Sequence, residues 1–435
     1  TCIGFLSFNA LDVEPLRDLG NGISIGVLFA FFYTIFFIAP LISFLNVKIP
    51  TSTQQQVNLS RKIAIFSLSN KKAFLLIIPL SSLLMILLIP MNKLDMNPTQ
   101  MYSEKYTSYG PDVLWLDKKL GASFPISFKA TSDNGSVSNP EFLESLDNFS
   151  MWLEKQNEVT HVTSLARTMK SLNKSMHGDD LKMKVIPEDQ ELSSQYLFFY
   201  EMSLPMGLDL NTSISQDRGS TRIAATLREM TSKEYLVFDK KVSTYLKDNN
   251  LESTISKPAG FRVIFVYLME AVVNSLLIGV TIGMALIITV IGFFFRSAYF
   301  GFLSSFPNIL PIVSAFGIWA IIDGQIDFMV AVGMGSTLGI IVDFTVHLLS
   351  KYDLARQELN KSPEDAVLYA FEAVGFALIA MTVILALGFS VLHLVSFLPM
   401  HNFAQFSILA FVFALIIDFF LFPNLLVRFD KRKFD

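Results

Sequence analysis

Gly333-Met334-Gly335-Ser336-Thr337-Leu338-Gly339-Ile340-Ile341-Val342-Asp343-Phe344-Thr345-Val346-His347 is the stretch that decides what kind of molecule this is. It lies inside an apolar run over 328–350, and about 20 such residues suffice for a helix to cross a bilayer. Ala331, Gly335 and Gly339 recur at every fourth residue, a stripe of small side chains that lets a second helix backbone come close. Asp343 continues the stripe, and His347 follows one turn on, at i+4. An ionised carboxylate at that depth is costly unless it pairs or takes up a proton, so Asp343 is a candidate proton carrier set in a helix–helix seam. His347 shares the face of Asp343, and histidine is the side chain whose charge can change at physiological pH.

Working outward, apolar windows of spanning length recur at 19–45, 73–90, 271–295, 301–322 and 371–397, and another at 402–427 closes the chain, with a partial span at 1–8. The 435 residues are 52% hydrophobic and 17% charged, against roughly 25% charged in soluble domains. The chain therefore reads as an integral, multi-pass membrane protein. Cys2 stands alone, which leaves no intrachain disulfide and no cysteine-based metal site. A net charge of −4 gives no reason to expect nucleic acid, and no Gly-rich phosphate cradle is visible. The apolar start at Ile3 to Phe8 has no charged leader, and the chain reads as part of a longer protein.

Lys and Arg sort the loops. Lys48, Arg61, Lys62, Lys71 and Lys72, then Arg296, then Lys351, Arg356 and Lys361, then Arg428, Lys431, Arg432 and Lys433 fall on one side, which is expected to be cytoplasmic. The alternate loops carry Arg17 as their only cation. The long polar segment 91–262 then faces outward. Within it, 123–130 alternates Phe124, Ile126, Phe128 and Ala130 with polar positions, the period of a half-buried strand. A helix follows with Asn139 as cap and Pro140 at its first position. Strands near 159–163 and 222–228, a helix over 233–248 and a weak strand at 253–256 complete an order of βαββαβ, the ferredoxin-like or split βαβ arrangement. An insertion at about 164–216 is expected to be largely helical and carries the aromatic run Tyr196 to Tyr200.

The first 45 residues repeat the last two spans. Gly4-Phe5 aligns with Gly388-Phe389, Pro15 with Pro399, Phe29 with Phe413, and Pro40, after a one-residue slip, with Pro423. Internal duplication of this kind is a hallmark of transporters. The expected domains are two closing helices of a first half at 1–45, a cytoplasmic linker at 46–72, a spanning helix at 73–90, the external domain at 91–262, and a five-helix bundle with a cytoplasmic tail at 263–435.

Three elements resemble the resistance-nodulation-division superfamily, in particular its predicted exporters of the mycobacterial-membrane-protein-large type and the hopanoid transporters, with a helix bundle like that of sterol-sensing proteins. Phe306-Pro307-Asn308-Ile309-Leu310-Pro311 is similar to that group's Pro-Asn-Leu-Leu-Pro element, Gly333 to His347 to its Gly-rich helix ending in Val-Asp-Tyr, and Pro15 to Gly20 to its Pro-Pro-Leu-Arg-Asp-Phe-Gly element. The resemblance implies an α-helical polytopic membrane protein with an inserted external α/β porter domain, and twelve helices in the whole protein, of which 328–350 is the tenth, the bearer of the proton-relay acid. Family members usually carry Tyr after that acid; Phe344 stands here.

On this reading Asp343 and His347 form the proton relay, with Gly335 and Gly339 as its supporting seam. Protonation of Asp343 would weaken its pairing and let the bundle rock; the alternative is an Asp–His hydrogen bond that only holds helices together. Thr382, Asp418 and Asn308 are candidates for relay support. The plain readings are packing for Asp418, whose repeat counterpart is Thr34, and satisfaction of backbone groups freed by two prolines for Asn308. With a first half missing, the seam at Gly335 and Gly339 is expected to face lipid. The leading function is a proton-motive-force-driven exporter of hydrophobic or lipid-like substrates in the cell's inner (plasma) membrane. A sterol-sensing-like lipid sensor or trafficking protein, and a protein-translocation accessory subunit, are the alternatives. The expected partners are the lipid bilayer, a hydrophobic or lipid substrate and the missing N-terminal half, with a homo-oligomer left open. No cofactor, metal site or catalytic constellation is expected.

Overall fold

The structure, a computed structural model, describes residues 1–10, 14–44, 54–95, 101–102, 108–120, 124–205, 209–430 and 432. Lys48, Ser123, Lys431 and Lys433 lie outside these residues. The chain divides into two compact units, Thr1–Leu94 with Leu268–Asp435, and Asp95–Tyr267.

Along the chain run α1 (Cys2–Leu6), α2 (Glu14–Tyr33), α3 (Ala39–Phe44), α4 (Gln54–Ser69), α5 (Lys71–Leu88) and the short strand β1 (Lys93–Leu94). There follow α6 (Tyr109–Leu120), β2 (Phe124–Thr131), α7 (Pro140–Glu154), β3 (Val159–Thr163), α8 (Leu165–Met176), α9 (Gln190–Ser203), β4 (Ser220–Leu227) and α10 (Ser232–Asp248). The C-terminal part holds α11 (Phe261–Phe294), α12 (Ala298–Leu303), α13 (Ser305–Ile322), β5 (Gln325–Ile326), α14 (Phe328–Gln357), α15 (Pro363–Ala370), α16 (Phe376–Ser390), α17 (Leu398–Phe420) and α18 (Phe422–Phe429).

In the Asp95–Tyr267 unit, β2, β4 and β3 form an antiparallel sheet in that order. Ile126, Phe128 and Ala130 from β2 and Ile223, Ala225 and Leu227 from β4 are buried, so alternation puts one face of the sheet into the core. Helix α7 starts where Asn139 accepts a hydrogen bond from Phe142 N at 3.0 Å, and lays Phe142, Leu146, Phe149 and Leu153 into the same core. Helix α10 opens on a capping box between Thr231 and Glu234. The expected strand at 253–256 is not a strand: it is reduced to isolated antiparallel bridges, Ile255 to Ala130 and Ala259 to Ser127. Pro258 lies between these two pairs and has no N–H to give a ladder. The aromatic run is split, with Tyr196 and Leu197 buried and Phe198 and Phe199 exposed.

Among the described residues of the other unit, six helical stretches are long and apolar enough to cross a membrane: Leu16–Phe44, Lys71–Met91, Ala298–Ile322, Phe328–Gln357, Pro363–Leu394 and Leu398–Phe429. The window expected at 271–295 lies in α11, a continuous helix of 34 residues. Helix α14 is the hub, buried along most of its length and packed by α1, α13, α15 and α17. Its first turn is fixed by Asp327, which caps Val330 N at 2.9 Å and accepts from Asn402 Nδ2 at 2.9 Å. Burial pushes the Asp327 carboxyl above the usual carboxylate range, against these two bonds. By contrast α2 buries Leu16, Gly20 and Ser24 and exposes its apolar side chains beyond Ile25.

The linker expected at 46–72 needs correction, because 54–69 is helix α4. Ser60, Ala64 and Ser67 recur on one buried face of it, and such small side chains let α4 lie close against the bundle. Ser67 Oγ donates to Phe419 O at 2.9 Å, and Asn424 Nδ2 donates to Ser67 Oγ at 3.1 Å.

The repeat extends from residues to elements. A 3-10 turn at Ser7–Ala10 precedes α2, which begins at Glu14; the same turn at Val391–Leu394 precedes α17, which begins at Leu398. Both pairs of boundaries are separated by the 384 positions that separate Gly4 from Gly388.

Candidate functional site

The seam on α14 is occupied. An ideal Cβ built on Gly4 of α1 would lie 2.5 Å from Gly339 Cα, and one built on Gly335 would lie 2.3 Å from the Phe8 ring. Backbone meets backbone only because both helices carry glycine at the crossing. The expectation that the seam faces lipid is therefore overturned: Thr1, Gly4 and Phe8 cover it. The signal was present in the partial span at 1–8, whose Gly4 is the small residue a close crossing requires.

One turn beyond Gly339 the same crossing brings Thr1 to Asp343. Thr1 Oγ1 donates a short hydrogen bond to Asp343 Oδ2, and the Thr1 backbone nitrogen lies 3.6 Å from Oδ1. The Asp343 side chain keeps 41% exposure, so it is held at the seam and still reachable. His347 is exposed, and among the described residues no hydrogen bond joins it to Asp343. The i+4 spacing puts both on one side of the helix, and among the described residues neither a hydrogen bond nor an ion pair links them.

The opposite face of α14 carries a second polar group. Two residues advance a helix by about 200°, so Thr345 points away from Asp343. Thr345 Oγ1 lies 3.1 Å from Asp418 Oδ1 of α17 and 3.5 Å from Asn308 Oδ1 of α13. All three residues are fully buried. Asn308 Nδ2 donates to Ser304 O at 2.6 Å, satisfying a carbonyl next to the break between α12 and α13. Among the described residues Asp418 Oδ2 has no partner. Asn308 and Asp418 thus converge, and Thr345, which sequence reasoning missed, joins them. A threonine in an apolar run gives no signal of its own; its position two residues from Asp343 was the available one. Thr382 is not brought to either acid, since its hydroxyl donates to Leu378 O in its own helix at 3.0 Å.

Residues of β1, α11, α13 and α14 line an open groove of about 630 Å³, among them Leu94, Met284, Ala285, Ile309 and Phe316, with Thr281 as its polar residue. At the C-terminal end of α14, Asp430 accepts from Tyr352 Oη at 2.8 Å and Arg356 Nε at 3.0 Å, and Arg432 Nε reaches its other oxygen at 3.0 Å. Burial opposes ionisation of Asp430, but the bonds from Arg432, Tyr352 and Arg356 prevail and hold its carboxyl at about 2.

Long apolar helices, a glycine crossing and acids at membrane depth define a polytopic helical membrane protein. Residues 131–433 match the model of the MMPL family, more than half of the chain, and the chain belongs to that family, whose members are membrane proteins of the resistance-nodulation-division type. It is also similar to MJ1562 of Methanocaldococcus jannaschii, whose name describes it only as a membrane protein, with 26% identity over 156 residues. That match covers 35% of this chain and 39% of the relative.

Proposed function

We propose that this chain is part of a transporter that uses the proton gradient to export hydrophobic or lipid-like molecules, with Asp343 as one proton-carrying group. The observation that carries this reading is the Asp343 carboxylate at membrane depth, held by Thr1 at a crossing of α1 and α14 packed too tightly to shift by small steps. Such packed interfaces switch between discrete arrangements, and a change of charge at the seam biases the choice. Proton uptake removes the charge that the Thr1 hydroxyl stabilises and loosens α1 from α14. The groove of about 630 Å³, with almost wholly apolar walls, supports a hydrophobic cargo.

In this reading the sheet of β2, β4 and β3, with the bridges at Ile255 and Ala259, is a ferredoxin-like porter domain on the outer side of the cell's plasma membrane. The lysine- and arginine-rich loops lie inside. The test is efflux from vesicles containing the full protein, with and without an uncoupler. Uncoupler-sensitive flux that Asp343→Asn abolishes, at unchanged membrane insertion, is the expected result. Flux that ignores both would favour a lipid sensor or passive carrier.

A further inference from the structure

Asn308, Thr345 and Asp418 come from three helices and meet where no water-exposed surface reaches them. Counting hydrogens shows which form of the cluster is complete. Asn308 spends one of its two amide N–H groups on Ser304 O, and its Oδ1, an acceptor, is the atom turned to Thr345. Thr345 has a single hydroxyl hydrogen, and two acceptors stand within its reach, Asn308 Oδ1 and Asp418 Oδ1. With Asp418 ionised, one of them goes without a donor, and Oδ2, without a partner among the described residues, is bare as well. With a proton on Asp418 Oδ1, that hydroxyl donates to Thr345 Oγ1, and Thr345 donates its own hydrogen to Asn308 Oδ1. The oxygen left over is then a neutral carbonyl, far cheaper to leave unpaired in the bundle than a charged one.

No cation compensates a charge there among the described residues. Helices α13 and α16 hold no ionisable residue. On α14, Asp343 faces Thr1, His347 is exposed, Lys351 lies half-buried six residues beyond Thr345, and Arg356 pairs with Asp430. On α4, Arg61 pairs with Glu372 and Lys62 is exposed; on α5, Lys71 pairs with Glu364 and Lys72 is exposed, as is Arg428 on α18.

We propose that Asp418, in α17, is a second proton-binding site of the bundle, with Thr345 as the switch whose hydroxyl turns to donate to Asn308 Oδ1 when Asp418 is protonated and turns back to donate to Asp418 when it is ionised. Thr345 stands two residues from Asp343 on α14, so a shift of that helix at the seam moves the hydroxyl on which Asp418 depends. Only the use made of the proton rests on the transporter reading; the site does not.

Infrared spectroscopy of the full protein in lipid vesicles tests it without measuring transport. The expected result near neutral pH is a protonated-carboxyl band that Asp418→Asn removes, that Thr345→Val shifts, and that Asp343→Asn leaves in place. A spectrum unchanged by Asp418→Asn would overturn the proposal, as would loss of the band on adding sodium, which would make the three oxygens a cation site. Should Asp418→Asn fail to fold, wild-type protein is treated with dicyclohexylcarbodiimide, which reacts with protonated carboxyls in apolar surroundings. An adduct on the peptide carrying Asp418 supports the site, and an unmodified Asp418 counts against it. If efflux proves insensitive to uncouplers while the Asp418 band is present, the transporter reading falls and this one stands.

Discussion

Thr1 and Asp343, 342 positions apart in the chain, are joined by a hydrogen bond from the threonine hydroxyl to the carboxylate. The bond exists because Gly4 and Gly339 let α1 and α14 touch backbone to backbone one turn away. A hydrogen bond to a charged group is worth about 1.5–3 kcal/mol. Thr1→Val keeps the shape and removes the donor, and is expected to lower the initial rate of proton-driven efflux on the order of 10- to 100-fold. Thr1→Ser should keep most of the rate. Equal rates for Thr1→Val and wild type would remove the hydroxyl from the mechanism.

The glycine crossing makes a structural prediction that does not depend on function. A Cβ on Gly4 meets Gly339 backbone atoms at 2.5 and 2.8 Å, with no flexible side chain to yield, whereas one on Gly26 in α2 meets nothing within 4 Å. Gly4→Ala is therefore expected to destabilise by about 1–3 kcal/mol through overpacking. Gly26→Ala should be neutral or gain up to about 1 kcal/mol of helix propensity. Thermal unfolding of the two variants in detergent checks the order; a lower midpoint for Gly26→Ala than for Gly4→Ala would contradict the crossing.

The Asp430 cluster predicts the acid limit of the bundle. A carboxyl held at about 2 in the folded protein against an ordinary value near 3.8 contributes stability that is complete above the ordinary value. That stability is lost as pH falls through the folded one. The difference corresponds to roughly 2 kcal/mol, and the Asp430 side chain is only 1% exposed, so solvent does little to screen it. Asp430→Asn removes the carboxylate that the buried Arg356 shares with Arg432 and is expected to cost about 3–5 kcal/mol at neutral pH. Denaturation followed from pH 7 down to about pH 2 should show the wild type losing its advantage over Asp430→Asn in the last two units.

How much of this was legible depended on the kind of signal. Spans announce themselves through sustained apolar runs, and strands β2 and β4 through strict alternation. Helix α7 was marked by Asn139 and Pro140, which do the same local work in any context. Helix α4 was missed because its buried face is Ser60, Ala64 and Ser67, which no scale of apolarity registers, and because its docking partners Phe419 and Asn424 are more than 350 positions away. Asp343 was found by the cost of an acid in a span. The cost says nothing about which partner relieves it, and the choice of Thr1 over His347 is made by tertiary packing. The same holds for Asn308 and Asp418: each was visible as a polar residue in a span, and only the crossing of three helices makes them one cluster.

On the proposed reading the groove between α11 and α13 would take the cargo, and it lies apart from both acids, a separation that can be tested. Ala285 lines the groove, while neither Asp343 nor Asp418 does. Ala285→Trp adds a ring system that occupies a substantial part of about 630 Å³ and touches no ionisable group. It should reduce retention of a lipid-like probe, read as fluorescence of a bound lipophilic dye, by roughly tenfold, the equivalent of about 1.4 kcal/mol of lost contact. The protonated-carboxyl signal of Asp418 should be unaltered. If Ala285→Trp leaves dye binding intact, the groove is not the cargo site, and the exposed apolar face of the Leu16–Phe44 stretch, where Phe29, Phe32 and Phe36 stand clear of the rest of the chain, becomes the surface to block next.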